Sequence, residues 1–191
     1  MSKDTDSERV KMTKKKMKDA FVEILKVKTI DNITVKELTN KVGVNRGTFY
    51  IHYQDIYSLW GEIEEETLAE IHKLGSVIKD YELTDAEDLQ EPIPATLEVL
   101  HYLKSNENYI QALLGQNGMS SFTLKWKAVM KQYLFSKAIF ENKEYNEYLL
   151  EFLLSANIGV IVFWVQSGMK ISPEELALLL KKMIIKGPLN V

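Results

Sequence analysis

The stretch from Ile33 to Tyr53 constrains the fold of this chain more than any other. It reads ITVKELTNKVGVNRGTFYIHY, two short helical patterns on either side of a glycine. Thr34 and Glu37 have the spacing of a capping box at the start of the first helix. Gly43 supplies the positive φ that a tight turn between packed helices requires, and Asn45 can cap the second helix. We therefore predict a helix-turn-helix.

The second helix of this pair carries side chains that suit a DNA reader. Glycine, threonine and aromatic residues are mediocre helix formers, so a purely structural helix rarely collects them within about two turns. Arg46 can reach phosphate or guanine edges, and Thr48 and Tyr50 can donate to phosphate oxygens. Gly47 would let the helix approach the DNA backbone closely. The alternative is an ordinary helical hairpin with a solvated polar face.

The charged residues are unevenly distributed along the chain. The net charge is −3, but residues 1–60 hold 12 Lys and Arg against 8 Asp and Glu. Residues 61–191 hold 12 against 19. Basic charge is thus concentrated where the helix-turn-helix pattern lies, as an electrostatic footprint on DNA requires.

The sequence lacks the residue patterns of an enzyme or a metal site. It contains no cysteine, which excludes disulfides, thiolate nucleophiles and cysteine zinc ligands. The three histidines lack metal-motif spacing, and neither a phosphate-binding glycine loop nor a nucleophile elbow occurs. We predict no enzyme activity, no metal and no cofactor. The polar start lacks the apolar stretch of a secretory signal, so we expect a cytoplasmic protein.

Helical periodicity extends over most of the chain. Apolar spacing predicts a first helix over residues 12–27, and Phe49 and Tyr53 are predicted to point into the core beside it. A long helix over residues 55–79 would follow. Its carboxylates are expected to form a solvated face, a set made up of Glu62, Glu64, Glu65 and Glu66.

The second half of the chain is also predicted to be helical. Residues 84–94 read as a loop, and helices are expected near 95–105, 106–114 and 119–140. An almost wholly apolar helix over 145–168 would follow. A last helix would begin after Ser172, which forms a capping box with Glu175.

The helix-turn-helix stretch has TV at the start of its first helix, VGV at the turn and RGTFY in its second helix, followed by His52 and Tyr53. In these motifs the chain resembles the TetR family of bacterial regulators. The resemblance is close over residues 12–60. It implies an all-α dimer with a three-helix DNA-binding domain, residues 1–54. A long helix would join that domain to a helical ligand-binding and dimerisation domain, residues 55–191. Many relatives carry lysine, which meets a phosphate, at one or both of the positions that Gln54 and Ile56 occupy here.

By this resemblance and the reasoning above, one set of residues is predicted to contact double-stranded DNA. It consists of Thr13, Lys14, Thr34, Val35, Lys36, Asn45, Arg46, Gly47, Thr48, Tyr50, His52 and Tyr53. The stretch NRGTFYIHY, with FWVQSG and SPEEL near the end, is similar to the subgroup that includes dihydroxyacetone-kinase regulators. Some of these activate transcription, so the sign of regulation stays open.

The C-terminal half holds the predicted ligand pocket and dimer interface. Aromatic and methionine side chains suit either a core or an adaptable apolar pocket. The pocket residues would be Met119, Phe122, Trp126, Met130, Tyr133, Asn157 and Trp164. Two apolar terminal helices suit a four-helix homodimer interface, with Phe152, Ile161, Leu176, Leu179, Leu180 and Met183. Residues 149–165 barely reach membrane-spanning length and include polar residues, so we predict a buried helix and no membrane.

The function predicted is a dimeric transcriptional regulator that binds a near-palindromic operator. A repressor that responds to a small apolar or amphipathic ligand is the leading interpretation, and an activator fits the same residues. A helical ligand-binding or interaction protein that does not bind DNA is the alternative from another class.

Overall fold

The computed structural model describes residues 2–76, 89–115, 121–134 and 145–189. Within these ranges the fold is all-helical, which confirms the predicted fold class. The helices are α1 (Ser2–Leu25), α2 (Val35–Val42), α3 (Arg46–His52), α4 (Ile56–Gly75), α5 (Pro94–Ser105), α6 (Glu107–Leu114), α7 (Ser121–Leu134), α8 (Asn146–Gln166) and α9 (Pro173–Lys186). A short 3-10 turn, Ile30–Asn32, lies between α1 and α2.

The first helix begins about three turns earlier than its apolar spacing predicted. It runs from Ser2 rather than from near residue 12. The added residues are polar except Val10, and those from 7 onward are exposed. They extend the helix without contributing to a buried stripe, so apolar periodicity carries no signal for them.

The helices α1, α2 and α3 form the head, which packs around apolar side chains including Phe49, predicted to point into the core. Met17 and Phe21 of α1, Leu38 of α2 and Phe49 of α3 are fully buried. The turn between α2 and α3 takes the predicted form, because Gly43 adopts a φ of 76° in the left-handed region. These contacts fix α3 against the other two helices.

The predicted cap of α2 is only half formed. The hydroxyl of Thr34 accepts a hydrogen bond from the backbone N–H of Glu37 at 3.2 Å, as expected. The carboxylate of Glu37 does not return the bond to Thr34. It accepts instead from Lys28 Nζ at 2.7 Å, because that ammonium group offers a charged partner in the preceding loop.

The helix α4 connects the head to the remaining helices, which form the body. It packs on α1, α5 and α7, while α5 packs on α9 and α8 packs on α6 and α7. Buried apolar side chains form one continuous core from α1 through α4 into the body. The rings of Phe21 in α1 and Trp60 in α4 lie 5.7 Å apart at this junction.

The expectation that the α4 carboxylates form a solvated face is wrong for Glu64. This residue is only 3% exposed, and its Oε2 lies 2.5 Å from Lys125 Nζ of α7. Because α7 packs on this side of α4, it covers Glu64 and supplies the compensating charge. Glu62 is half-buried and ion-paired, whereas Glu65 and Glu66 are exposed as predicted.

The terminal helices α8 and α9 are joined by a short turn that side-chain hydrogen bonds hold in place. The indole Nε1–H of Trp164 donates to the carbonyl of Ile171 at 2.9 Å. Gly168 has a φ of 84°, and Ser172 and Glu175 form the predicted capping box. These contacts hold the start of α9 against the end of α8. By length and composition α8 could cross a membrane, and 33% of its apolar window is buried in the protomer.

Candidate nucleic-acid interface

The start of α3 is fixed by Asn45. Its side-chain Oδ1 accepts from the backbone N–H of Thr48 at 2.8 Å and from the Thr48 hydroxyl at 3.1 Å. A Cβ on Gly47 would lie 3.1 Å from the same oxygen. Glycine at this position therefore protects the cap as well as allowing close approach. Asn45, as predicted, caps a helix too short to be stable alone.

The outward face of α3 lies on the side of the helix opposite the buried Phe49. At about 100° per residue, Gly47 and Ile51 point away from that buried ring, and Tyr50 lies beside them. Tyr50 is 57% exposed and Ile51 is 78% exposed. Ile51 was not in the predicted contact set, although its position two residues after Phe49 already indicated that it lies on this face. A large apolar side chain held out in water suits an apolar partner such as a thymine methyl group.

Most of the predicted contact residues lie on accessible surface of the head. The exposed members are Thr34, Lys36, Asn45, Arg46, Gly47 and Tyr50, and the half-buried ones are Thr13, Lys14, Val35, Thr48 and His52. Val35 packs against the core. The hydroxyl of Thr13 donates to the carbonyl of Arg9 at 2.8 Å. The accessible part of the set thus lies on α1, on α2 and α3, and at the caps of α2 and α3.

Tyr53 points into the core, as its spacing predicted, so its inclusion in the DNA-contact set needs correction. It is only 4% exposed, because it lies one turn after Phe49 and shares its inward face. The two rings are 5.6 Å apart, and the Tyr53 hydroxyl donates to Glu62 Oε1 at 3.3 Å. Burial, and then the charge of Glu62, raise the pKa of Tyr53. The side chain supports α3 from behind and has almost no surface to offer DNA.

Lys14 is held inside the head–body junction. Its ammonium group donates to Glu62 Oε2 at 2.5 Å and lies 5.3 Å from the centre of the Tyr53 ring. Lys18 is 2.5 Å from Glu62 Oε1. Burial opposes ionisation of Glu62, but the two ammonium groups outweigh it and lower the pKa of Glu62. A contact of Lys14 with DNA would require it to leave this carboxylate.

The head-proximal end of α4 differs from the lysine-bearing pattern of the family. Gln54 is exposed, whereas Ile56 is only 6% exposed and packs in the core. Asp55 caps α4 in a capping box with Ser58. The hydroxyl of Tyr57 donates to Asp31 at 2.5 Å. The residue at position 56 is therefore a core residue.

Comparison with known proteins agrees with this architecture. Residues 90–186, about half of the chain, match a TetR family model described as "Transcriptional regulator C-terminal region". The chain belongs to the TetR family of transcriptional regulators. It is also 22% identical over 168 residues to the HTH-type transcriptional regulator YxbF of Bacillus subtilis (strain 168). That alignment covers 84% of this chain but 42% of YxbF, so the chain spans less than half of that relative.

Two solved structures share the fold of this TetR-family chain. A TetR transcriptional regulator from Streptococcus agalactiae 2603V superposes with a TM-score of 0.63 at 21% identity, over 94% of this chain and 97% of that one. The dihydroxyacetone kinase operon activator DhaS superposes with a TM-score of 0.59 at 19% identity, over 91% and 94%. At these identities the likeness concerns the fold alone.

Four of the predicted ligand-pocket residues of this TetR-family regulator pack in the core of the described chain. Phe122 and Trp126 are fully buried with ring centres 6.3 Å apart, and Trp164 is 3% exposed. Met130 packs partly buried against the same core. Asn157 Nδ2 donates to the Leu153 carbonyl of its own helix at 2.8 Å. Met119 and the side chain of Tyr133 lie outside the described residues.

The dimer-interface prediction needs correction at two of its six residues. Ile161 and Leu176 are at most 4% exposed and belong to the core. Leu180 is also buried, but it lines a groove on the outer surface of α8 and α9 together with Met183. Leu179 and Met183 are half-buried. Phe152 is 63% exposed, as an interface residue would be before association.

The outer surface of α8 and α9 carries an apolar groove of about 380 Å³. Phe152 and Phe163 line it, and Phe163, which sequence reasoning missed, is 70% exposed. Between them lie Ala156 and Gly159, both exposed, and a Cβ on Gly159 would meet nothing within 4 Å. Large apolar side chains thus flank a low strip on which a second helix could lie.

Proposed function

We propose that this TetR-family regulator reads double-stranded DNA with α3 in the major groove. The observation that carries the proposal is the two-sided construction of α3. On its inner side, Phe49 is fully buried and anchors the helix. The side chains of Arg46, Tyr50 and Ile51 are exposed, and Asn45 caps the start of the helix. A helix that is rigidly held and presents polar, cationic and apolar groups outward suits readout of base edges.

The charged residues around α3 support phosphate contacts at its flanks. Arg46 and Lys36 are exposed, and the exposed hydroxyl of Thr34 lies at the start of α2. Phosphate contacts of this type set the register of a helix in the groove and make affinity fall with salt. The balance of 12 basic against 8 acidic residues in residues 1–60 adds a favourable long-range field.

We propose that two copies associate through the outer faces of α8 and α9. Phe152 and Phe163 would leave water on association, and the strip at Ala156 and Gly159 lets helices approach closely. Burial of such side chains contributes about 25 cal/mol per Å² of apolar surface. A two-fold dimer would place two α3 helices on successive half-sites of a near-palindromic operator.

Repression is the leading interpretation of the output, and activation is the alternative. A dimer that occupies its operator blocks polymerase by simple competition, which requires nothing beyond DNA binding. The structurally similar DhaS is described as an operon activator. Transcription from the bound promoter, measured in vitro with and without the protein, separates the two outputs.

We also propose a response to a small molecule, but at a different site from the predicted pocket. The described aromatic residues of the predicted pocket are packed in the core, but α4 and α7 carry buried polar atoms without hydrogen-bond partners in the described chain. They are Trp60 Nε1, Trp126 Nε1 and Glu64 Oε1. Buried unpaired groups of this kind are unfavourable. A ligand that accepts from an indole and donates to a carboxylate would stabilise a separated arrangement of α4 and α7.

Fluorescence anisotropy with labelled DNA from upstream of the protein's own coding region tests the main proposal. We expect specific binding that weakens as salt rises. Arg46→Ala should abolish it, while Lys73→Ala removes the same charge from an exposed site on α4 away from α3 and should leave it unchanged. Equal affinity for unrelated DNA at every salt concentration would refute sequence-specific binding.

A further inference from the structure

A groove separates α1 from the helices of the body. Its volume is about 460 Å³, and it lies between α1, α4 and the junction of α5 and α6. One wall consists of four lysines of α1 at helical spacing, Lys11, Lys14, Lys15 and Lys18. Glu62 and Glu66 of α4 and Tyr102 of α5 line the opposite wall.

The positive charge of this groove exceeds its negative charge. Glu62 accepts from Lys14 and Lys18, and Glu66 accepts from Lys18 at 2.6 Å. Both carboxylates are thereby neutralised. Lys11 and Lys15 are exposed, and neither forms an ion pair with the residues that the structure describes. Uncompensated like charges in a concave surface raise the local concentration of anions.

We propose that this groove binds a small dianion of the phosphate-monoester class. Lys11 and Lys15 are four residues apart, so their side chains emerge about 5–6 Å apart on one helix face. That spacing allows both ammonium groups to reach the oxygens of a single phosphate, which lysine binds as a point charge. Two unpaired positive charges match the charge of one phosphate monoester, and the groove volume leaves room for a small organic group.

The groove is connected to α3 through Glu62. Lys14 holds one oxygen of this carboxylate, and the Tyr53 hydroxyl donates to the other. The Tyr53 ring in turn packs on Phe49, the buried anchor of α3. A dianion that draws Lys14 away from Glu62 alters the support of α3. If the proposed DNA-binding function holds, anion and DNA then change each other's affinity by the same factor.

Equilibrium dialysis of the DNA-free protein against radiolabelled inorganic phosphate tests the site, with ionic strength held constant by sodium chloride. We expect one phosphate per chain and an affinity at least tenfold lower in the double variant Lys11→Gln, Lys15→Gln. The matched control is Lys36→Gln, Lys41→Gln, which removes two exposed charges from α2. It should bind phosphate as the wild type does.

Two results overturn the proposal. Absence of saturable binding would exclude the site, and equal weakening in both double variants would indicate an adventitious ion only, attracted by net charge. Both outcomes are independent of DNA. The connection to α3 is tested separately with labelled operator DNA, whose affinity should change with phosphate in the wild type and not in the Lys11, Lys15 variant. An equal change in both would place the effect at the DNA surface.

Discussion

The hydroxyl of Tyr53 donates to Glu62 Oε1 at 3.3 Å, and this contact joins the residue that ends α3 to the second turn of α4. It is a direct polar link between the proposed recognition helix and the helix that leaves the head. We expect Tyr53→Phe to keep the ring packing on Phe49 and to lose about 0.5–1.5 kcal/mol of stability. Urea denaturation measures the loss, and an unchanged midpoint would show that the hydrogen bond contributes nothing.

Glu62 makes the stability of the head depend on pH. Its pKa is lowered in the folded protein by Lys14 and Lys18 against the effect of burial. The stabilising contribution of ionised Glu62 is therefore complete above its ordinary pKa and is lost as pH falls through the lowered folded value. We expect Glu62→Gln to lose less stability than the wild type between pH 6 and about pH 3. Glu65→Gln, on the exposed side of α4, is the control and should follow the wild type.

Ile51 is expected to contribute to sequence recognition through its apolar side chain. Ile51→Ala should weaken specific DNA binding about fivefold to tenfold, because a contact with a thymine methyl group would be lost. Replacing thymine by deoxyuridine at the contacted position should weaken wild-type binding by a similar factor and leave the variant unaffected. Val27→Ala is matched in exposure, since both side chains are 78% exposed, and should bind as the wild type. Full affinity in Ile51→Ala would remove this residue from the interface.

Lys125 stabilises the fold by neutralising a buried carboxylate. Lys125→Ala would leave Glu64 charged and uncompensated against α7, and we expect a loss of about 1–3 kcal/mol, since Lys125 is half exposed. Glu64→Gln in the same chain should restore much of the loss, because it removes the buried charge. A double-mutant cycle by urea denaturation gives the coupling free energy. A coupling free energy of zero would mean that contacts with water stabilise Glu64 as well as Lys125 does.

Association through α8 should depend on Phe163. We expect Phe163→Glu to shift the protein from dimer to monomer in sedimentation equilibrium, because it places a charge in the proposed apolar interface. Leu124→Glu introduces the same charge at a side chain of α7 that is 69% exposed, close to the 70% of Phe163. This control should remain dimeric. A dimeric Phe163→Glu variant would move the interface elsewhere.

The local signals in the sequence predicted the head well. Thr34, Gly43 and Asn45 act through residues at most four positions away, so their roles can be read from spacing alone. The same holds for Ser172 and Glu175 at the start of α9. Each of these elements lies where the sequence placed it, because capping is decided within one helical turn.

Most of the sequence predictions that were wrong concern contacts between residues that are distant in the chain. Glu64 looked like a solvated residue because nothing near it in the sequence indicates that α7 brings Lys125 to it. Lys14 looked free for DNA because its partner, Glu62, is 48 positions away. Tyr53 was included in the DNA-contact set although its spacing from Phe49 already indicated the core. Ile161 was assigned to the dimer interface because helical spacing shows that a residue is apolar and periodic but not which neighbour it faces. Tertiary packing decides which face is inside.

The ring contact of Phe21 and Trp60 has a consequence for re-engineering this protein. Trp60 belongs to α4, yet it completes the core on which α1 is seated. The segment that would read DNA is therefore smaller than the segment that must be transplanted to keep it folded. A chimaera built to exchange operator preference should carry the first turns of α4 together with residues 1–54. A junction placed directly before α4 would replace Trp60 with a residue of the other protein. Phe21 would then lose its ring partner, and the DNA-reading helices would lose part of the core that keeps them folded.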